Sequence, residues 1–282
     1  MVEKELDTLP AIEVLPLFPE INIELITLLK SLSPSEWHQS TVLPGRTVKD
    51  LASHILDGSL RRLSLCRDNY QATTNKIESN DDLVRYIQEL NKSWIEATKR
   101  LSPQILISLL ELSEEWLYEY FKTLDPHATA KLAVSWAGQL KSQNWFDMAR
   151  EYTEKWHHQM QIRLAVKKPG ISSKKLYYPV IACFMRGLPH VYHKVHAEEG
   201  VGIEIEIIGE GGGLWFIEKK KDYWCLVKKL KSSPKAKIKM PDEIAWQLFT
   251  DSISRDSAAR EVQIFGVNAL AVPILTMRTV LR

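Results

Sequence analysis

The stretch from Asn144 to Leu164, NWFDMAREYTEKWHHQMQIRL, contains Glu154 and His158, a carboxylate and an imidazole four positions apart. On a helix, residues at that spacing lie one above the other on one face. Asp147 and Arg150, seven and four positions before Glu154, fall on the same face. Apolar residues at helical spacing, Trp145, Ala149, Tyr152, Trp156 and Met160, take another side. Such a helix anchors itself in a core and presents Glu154 together with His158, which is half of a metal site. His54, in PGRTVKDLASHILD, offers a third donor from a different helix, beside an apolar stripe of Leu51, Ile55, Leu56, Leu60 and Leu63. Facing helices of a bundle are where such sites are built. Two neutral imidazoles and one carboxylate with open positions suit catalytic zinc, and equally nickel, iron or manganese in the divalent state. Ligand identity does not choose among them.

Each of these residues also has a plainer reading. A Glu four before a His is common by chance in a chain of this size. His54 reads equally as a hydrogen-bonded histidine at the core edge, and Glu154 as a solvated acid paired with Arg150. His157, three residues past Glu154, is nearly on its face and competes with His158 as the inward imidazole. If His158 is the ligand, His157 and Asp147 stand behind the site or at the surface. Asp50, four before His54, is better explained as the partner of Thr47 in a capping box. His190, His193 and His196 spread over about 120° of a helix, too wide for one ion unless Glu198 or Glu199 helps.

The elements that position these side chains follow from periodicity. Residues 1–19 carry Pro10, Pro16 and Pro19 and read as an extended lead-in. INIELITLLKSL, 21–32, has helical spacing and stops at Ser33-Pro34. A helix from Val48 to about Arg67 starts at Thr47. QATTNKIESND, 71–81, is a polar link, followed by helices over 82–101 and 103–124. Pro126 and Gly138 break the pattern in 123–143, with a short extended piece expected at 131–136. Four or five helices with mostly short connections make a bundle, and a long loop near its end is where a site is roofed over. After Val166 the pattern changes. YYPVIACFMRGLPHVYHKVH reads as one or two short helices. Period-two alternation then marks strands at 202–209, 212–219, 223–230 and 236–241. DEIAWQLFT is helical again, and VNALAVPILTMRTVL reads as an apolar helix carrying Pro273. The expected architecture is α + (α+β): a helical bundle over 1–166 and a smaller α+β domain with an antiparallel sheet over 167–282.

Charge is balanced, 37 basic against 35 acidic residues for a net +2, which argues against a nucleic-acid partner. The lysines at 219–221 and at Lys228, Lys229 and Lys231 read as solvated hairpin ends. Cys66, Cys183 and Cys225 are few, odd in number and far apart, the pattern of reduced, buried thiols. The N-terminus lacks an apolar signal core, and no apolar run approaches the ~18–20 residues of a membrane span. The expectation is a cytoplasmic protein with no membrane partner, a monomer or a homodimer.

PGRTVKDLASHILD (44–57) resembles the "PGWTVRDLAAHL" signature of the maleylpyruvate isomerase N-terminal, DinB-like superfamily. EKWHHQMQI (154–162) resembles its "E-x-W-x-H-x-x-D-I" segment through Glu154, Trp156, His158 and Ile162, with Gln161 where the family often has Asp. GLWFIEKKKDYWCLV and VQIFGVNALAVPIL are similar to the sterol-carrier-like C-terminal domain of mycothiol-dependent maleylpyruvate isomerases. Arg46 replaces a family Trp, and Val267 replaces the acid after the glycine. The resemblance implies a divalent metal, commonly zinc, on His54, Glu154 and His158. It also implies a small thiol, mycothiol or bacillithiol, at the open position, attacking an electrophilic small molecule. Arg61 or Arg150 would hold a substrate carboxylate, unless each is simply a surface arginine. The outcome would be cis–trans isomerisation or S-transfer. A metal- or apolar-ligand-binding stress protein is the alternative from another class, and a regulatory partner of transcription factors a third.

Overall fold

The computed structural model describes residues 7–70 and 80–280. Most of the expected link at 71–81, and the first residues of the lead-in, lie outside them. The chain divides into two units. One gathers Val14–Lys131 with Glu151–Ile171; the other gathers the N-terminal stretch to Glu13 with Leu132–Arg150 and Ser172–Val280.

The first unit is the helical one. Helix α1, Phe18–Lys30, begins three residues earlier than its periodicity indicates, with Pro19 in its first turn where a missing N–H costs nothing. Helix α2, Val48–Arg62, ends earlier than expected; Leu63–Arg67 continue as a π-helical turn. Helix α3, Asn80–Thr98, and α4, Pro103–Lys122, follow, the latter capped by the Ser102 hydroxyl. Helix α5, Asn144–Ala165, contributes its residues from Glu151 onward to this unit, Glu154 and His158 among them. Leu28, Leu51, Leu56, Leu106, Leu110 and Ile162 belong to one buried cluster that joins α1, α2, α4 and α5. Phe18 packs against Phe121 at 5.2 Å and edge-on against Tyr152 at 5.7 Å. No helix among the described residues is long and apolar enough to cross a membrane.

In the second unit, no strand forms at 131–136. Ser135–Ala137 is a turn of 3-10 helix. The Val134 N–H is taken by the Ser142 hydroxyl at 2.8 Å, and Trp136 is buried, so the segment folds on itself. Helices α6, Lys174–Met185, and α7, Leu188–Val191, precede strands β1, Gly202–Ile208; β2, Gly213–Lys219; β3, Trp224–Val227; and β4, Ala236–Pro241. Then come α8, Asp242–Phe249; α9, Arg255–Ala259; β5, Gln263–Gly266; and α10, Asn268–Ala271. The apolar helix expected at the C-terminal end is thus only the short α10, continued by a 3-10 turn at Val272–Thr276.

The sheet order is β3-β2-β1-β4-β5. It is antiparallel except for the β1–β4 pair, which is parallel. Alternation explains its faces: Ile203, Ile205, Ile207, Ile238 and Met240 are buried. Their neighbours pair across the other face, Lys237 with Glu204 at 3.3 Å and Lys239 with Glu206 at 2.9 Å. All three cysteines are buried and stand outside any disulfide.

Candidate metal centre

His54 is placed by the start of α2. The Asp50 N–H donates to the Thr47 hydroxyl at 3.3 Å, and the Thr47 N–H donates to the Asp50 carboxylate at 2.8 Å, a reciprocal cap. This accounts for Asp50 and leaves His54 one turn further on. The α2–α3 contact is fixed by the Trp94 indole N–H on the Ser53 carbonyl at 2.9 Å. Helix α5 supplies the rest, because Glu154, His158 and Gln161 are spaced four and three apart along one of its faces.

One donor atom from each of His54, Glu154 and His158 lies within 4.8 Å of the other two. His158 Nε2 is 3.5 Å from Glu154 Oε2. The His54 and His158 rings stand edge to face, centroids 4.8 Å apart at 86°. Donors about 2.0–2.2 Å from one zinc ion stand roughly 3.4 Å from one another, so the His158–Glu154 spacing already has that value. His158 Nδ1 lies 2.8 Å from Gln161 Oε1. An amide oxygen only accepts, so Nδ1 carries a hydrogen, and Nε2 is the nitrogen left with the lone pair in the neutral ring.

The electrostatics match the needs of a cation. Burial first, then the neighbouring His158, pushes His54 down to about 3 from its ordinary 6.5. Burial would raise Glu154, but the adjacent His158, His157 and His54 outweigh it and hold the carboxyl at about 2. At neutral pH the group therefore has a neutral His54 and an ionised Glu154, the forms that coordinate a metal. The donor set fits a divalent ion in both chemistry and charge.

His157 is turned away from this task. Burial lowers it to about 3, its Nδ1–H donates to the Thr153 carbonyl at 2.7 Å, and its ring packs 4.0 Å from that of His158. Asp147 and Arg150 pair with each other at 3.3 Å. Arg61 is 37% exposed and held by the buried Asp57 at 3.0 Å; its charge reaches His54 and contributes to that histidine's lowered pKa. Among the described residues, His54, Glu154 and His158 are the donors grouped closely enough to share an ion. His190 and His193 stack at 5.2 Å on an exposed surface, outside any such group.

A second set of residues around α5 is not legible from spacing. Arg62 meets Glu151 at 2.9 Å, and Lys155 meets Glu114 at 2.6 Å; every one of these four side chains is 7% exposed or less. The Ser59 hydroxyl bridges, accepting from Lys155 at 2.8 Å and donating to Glu114 at 2.6 Å. The two cations and two anions cancel. The available signal is that α5 carries polar residues on every face while being buried on every face.

The family model for the mycothiol maleylpyruvate isomerase N-terminal domain matches residues 18–163. Two crystal structures of the mycothiol-dependent maleylpyruvate isomerase share the fold. One, of a histidine-to-alanine mutant, has a TM-score of 0.54 at 12% identity, covering 91% of this chain and 93% of that one. The other has a TM-score of 0.53 at 13% identity, covering 87% and 91%. No curated protein matches the sequence.

Proposed function

The chain belongs to the mycothiol maleylpyruvate isomerase N-terminal domain family, and from that premise we propose a divalent-metal-dependent enzyme that activates a low-molecular-weight thiol for addition to an electrophilic small molecule. The observation that carries this is the convergence of His54, Glu154 and His158 within 4.8 Å. Zinc is the first candidate ion, and mycothiol or bacillithiol the thiol. A bound divalent ion would supply the acidity that turns a thiol of ordinary pKa about 8.5 into a thiolate at neutral pH.

The chain's own residues do the rest. His54 enters neutral and Glu154 enters ionised, so no proton need be stripped from His54 before an ion binds. Glu154 offsets one of the ion's two charges, leaving a centre that still attracts an anionic sulfur. Arg61, steadied by Asp57, is the cation we assign to a substrate carboxylate, with Arg150 the second candidate. In an isomerisation the thiol would supply a nucleophile that adds reversibly to one carbon of a conjugated double bond, so that the bond could rotate while single and re-form with no net change in atoms. In a transfer the carbon would take up a proton and the C–S bond would stay. The division into a metal-binding bundle over 1–166 and a sterol-carrier-like domain over 167–282 belongs to the same reading, and the family match ending at residue 163 supports it.

The test is metal analysis of freshly purified protein with His54→Ala beside it. The wild type should carry about one equivalent of a divalent ion and the variant near none. Thiol loss with an epoxide-type electrophile then marks a transferase, and geometric conversion without thiol loss an isomerase. Unchanged metal content in His54→Ala would leave the binding-protein alternative in its place.

A further inference from the structure

We propose that Gln161 is a positioning residue for the metal centre: its side-chain amide holds His158 in the tautomer and orientation that presents Nε2, and it does so without adding charge. The inference rests on the metal reading above and adds to it a residue outside the donor set.

Three observations carry it. Gln161 is 1% exposed and lies three residues past His158, one turn along the same face of α5. Its Oε1 stands 2.8 Å from His158 Nδ1, a normal hydrogen-bond length. His158 Nε2, on the opposite side of the ring, is the atom facing Glu154 at 3.5 Å. An imidazole has two nitrogens and, when neutral, one hydrogen. In the neutral ring, fixing the hydrogen on Nδ1 leaves the lone pair on Nε2, the nitrogen that faces Glu154. Without an acceptor at Nδ1, the hydrogen is free to move to Nε2, where the Glu154 carboxylate would accept it. The centre would then close on itself as a histidine–glutamate pair, and binding an ion would first require breaking that pair.

The choice of an amide has its own consequence. A carboxylate in the same place would also accept from Nδ1–H, but it would bring a second negative charge behind a centre that Glu154 already serves. With an amide, a divalent ion bound to His54, Glu154 and His158 retains one net positive charge. That residual charge favours an anionic fourth ligand such as a thiolate over a neutral one.

The experiment measures zinc affinity by competition with a chromogenic chelator, in wild type, Gln161→Met and Gln161→Glu, with His158→Ala as reference. Methionine keeps length and flexibility but accepts a hydrogen bond only weakly; glutamate keeps the acceptor. Gln161→Met should bind zinc roughly ten- to a hundredfold more weakly, and Gln161→Glu should recover wild-type affinity to within a few-fold. The 15N spectrum of zinc-loaded wild type, independent of any variant, should show His158 with its hydrogen on Nδ1 and Nε2 metal-bound. Equal zinc affinity in Gln161→Met, or His158 bound through Nδ1, overturns the inference. If His158→Ala abolishes binding while the Gln161 variants are unaffected, only this inference fails. If His158→Ala leaves zinc affinity unchanged, the metal reading itself fails with it.

Discussion

His54 and His157 are both kept neutral inside the bundle, near pKa 3 against an ordinary 6.5. Between those values the unfolded chain binds protons that the folded chain refuses, so stability falls as pH falls through that window. Asp57 acts oppositely. Burial raises it to about 6 against the pull of Arg61, so the folded form binds its proton first and gains between 6 and 3.8. Two larger shifts outweigh one smaller one. The urea midpoint of metal-free protein should therefore drop between pH 7 and pH 5; a level or rising midpoint would contradict the burial of these imidazoles. At this scale the grouping of His54, Glu154 and His158 was legible because each sits in a short segment with its own spacing or cap. Gln161 and the buried ion network were not. Lys155 finds Glu114 across 41 positions and Ser59 across 96, and nothing local announces a partner so distant.

At the scale of elements, α5 is the one whose pattern least resembles its environment. Gln159 donates to the Ile21 carbonyl at 2.8 Å, Arg163 to that of Pro169 at 2.9 Å, and Trp156 to that of Ile171 at 3.0 Å. An interior helix rich in polar groups is stable only when each finds a partner. Lys155→Ala should cost about 3–5 kcal/mol, since it strands Glu114 without its cation, whereas Lys155→Met combined with Glu114→Gln should lose much less. Chemical denaturation of the two variants separates these outcomes; equal losses would show that the pair carries no coupled energy. Other elements were read well where a cap or proline marks them, as at Thr47 and Ser102. They were missed where only weak alternation is available: QIFG at 263–266 pairs antiparallel with β4 yet carries no strand expectation from its sequence. Alternation also identifies strands without ordering them, so the parallel β1–β4 neighbourhood follows from tertiary packing alone.

At the scale of the molecule, a ligand that binds the folded chain and not the unfolded one stabilises it by mass action. Free zinc at a hundredfold over its dissociation constant should add about 2.7 kcal/mol, seen as a rise in thermal midpoint that is reversed by chelation and absent in His54→Ala. A midpoint indifferent to zinc in the wild type would count against the centre.

His54 and Glu154 stand a hundred positions apart in the chain and meet only through helix packing. During synthesis the first donor leaves the ribosome long before the other two, and a lone imidazole is a feeble trap for a cation. On the proposed metal reading, acquisition of an ion would therefore follow folding and not seed it. Fragments ending short of residue 158 should pass through the cell unloaded.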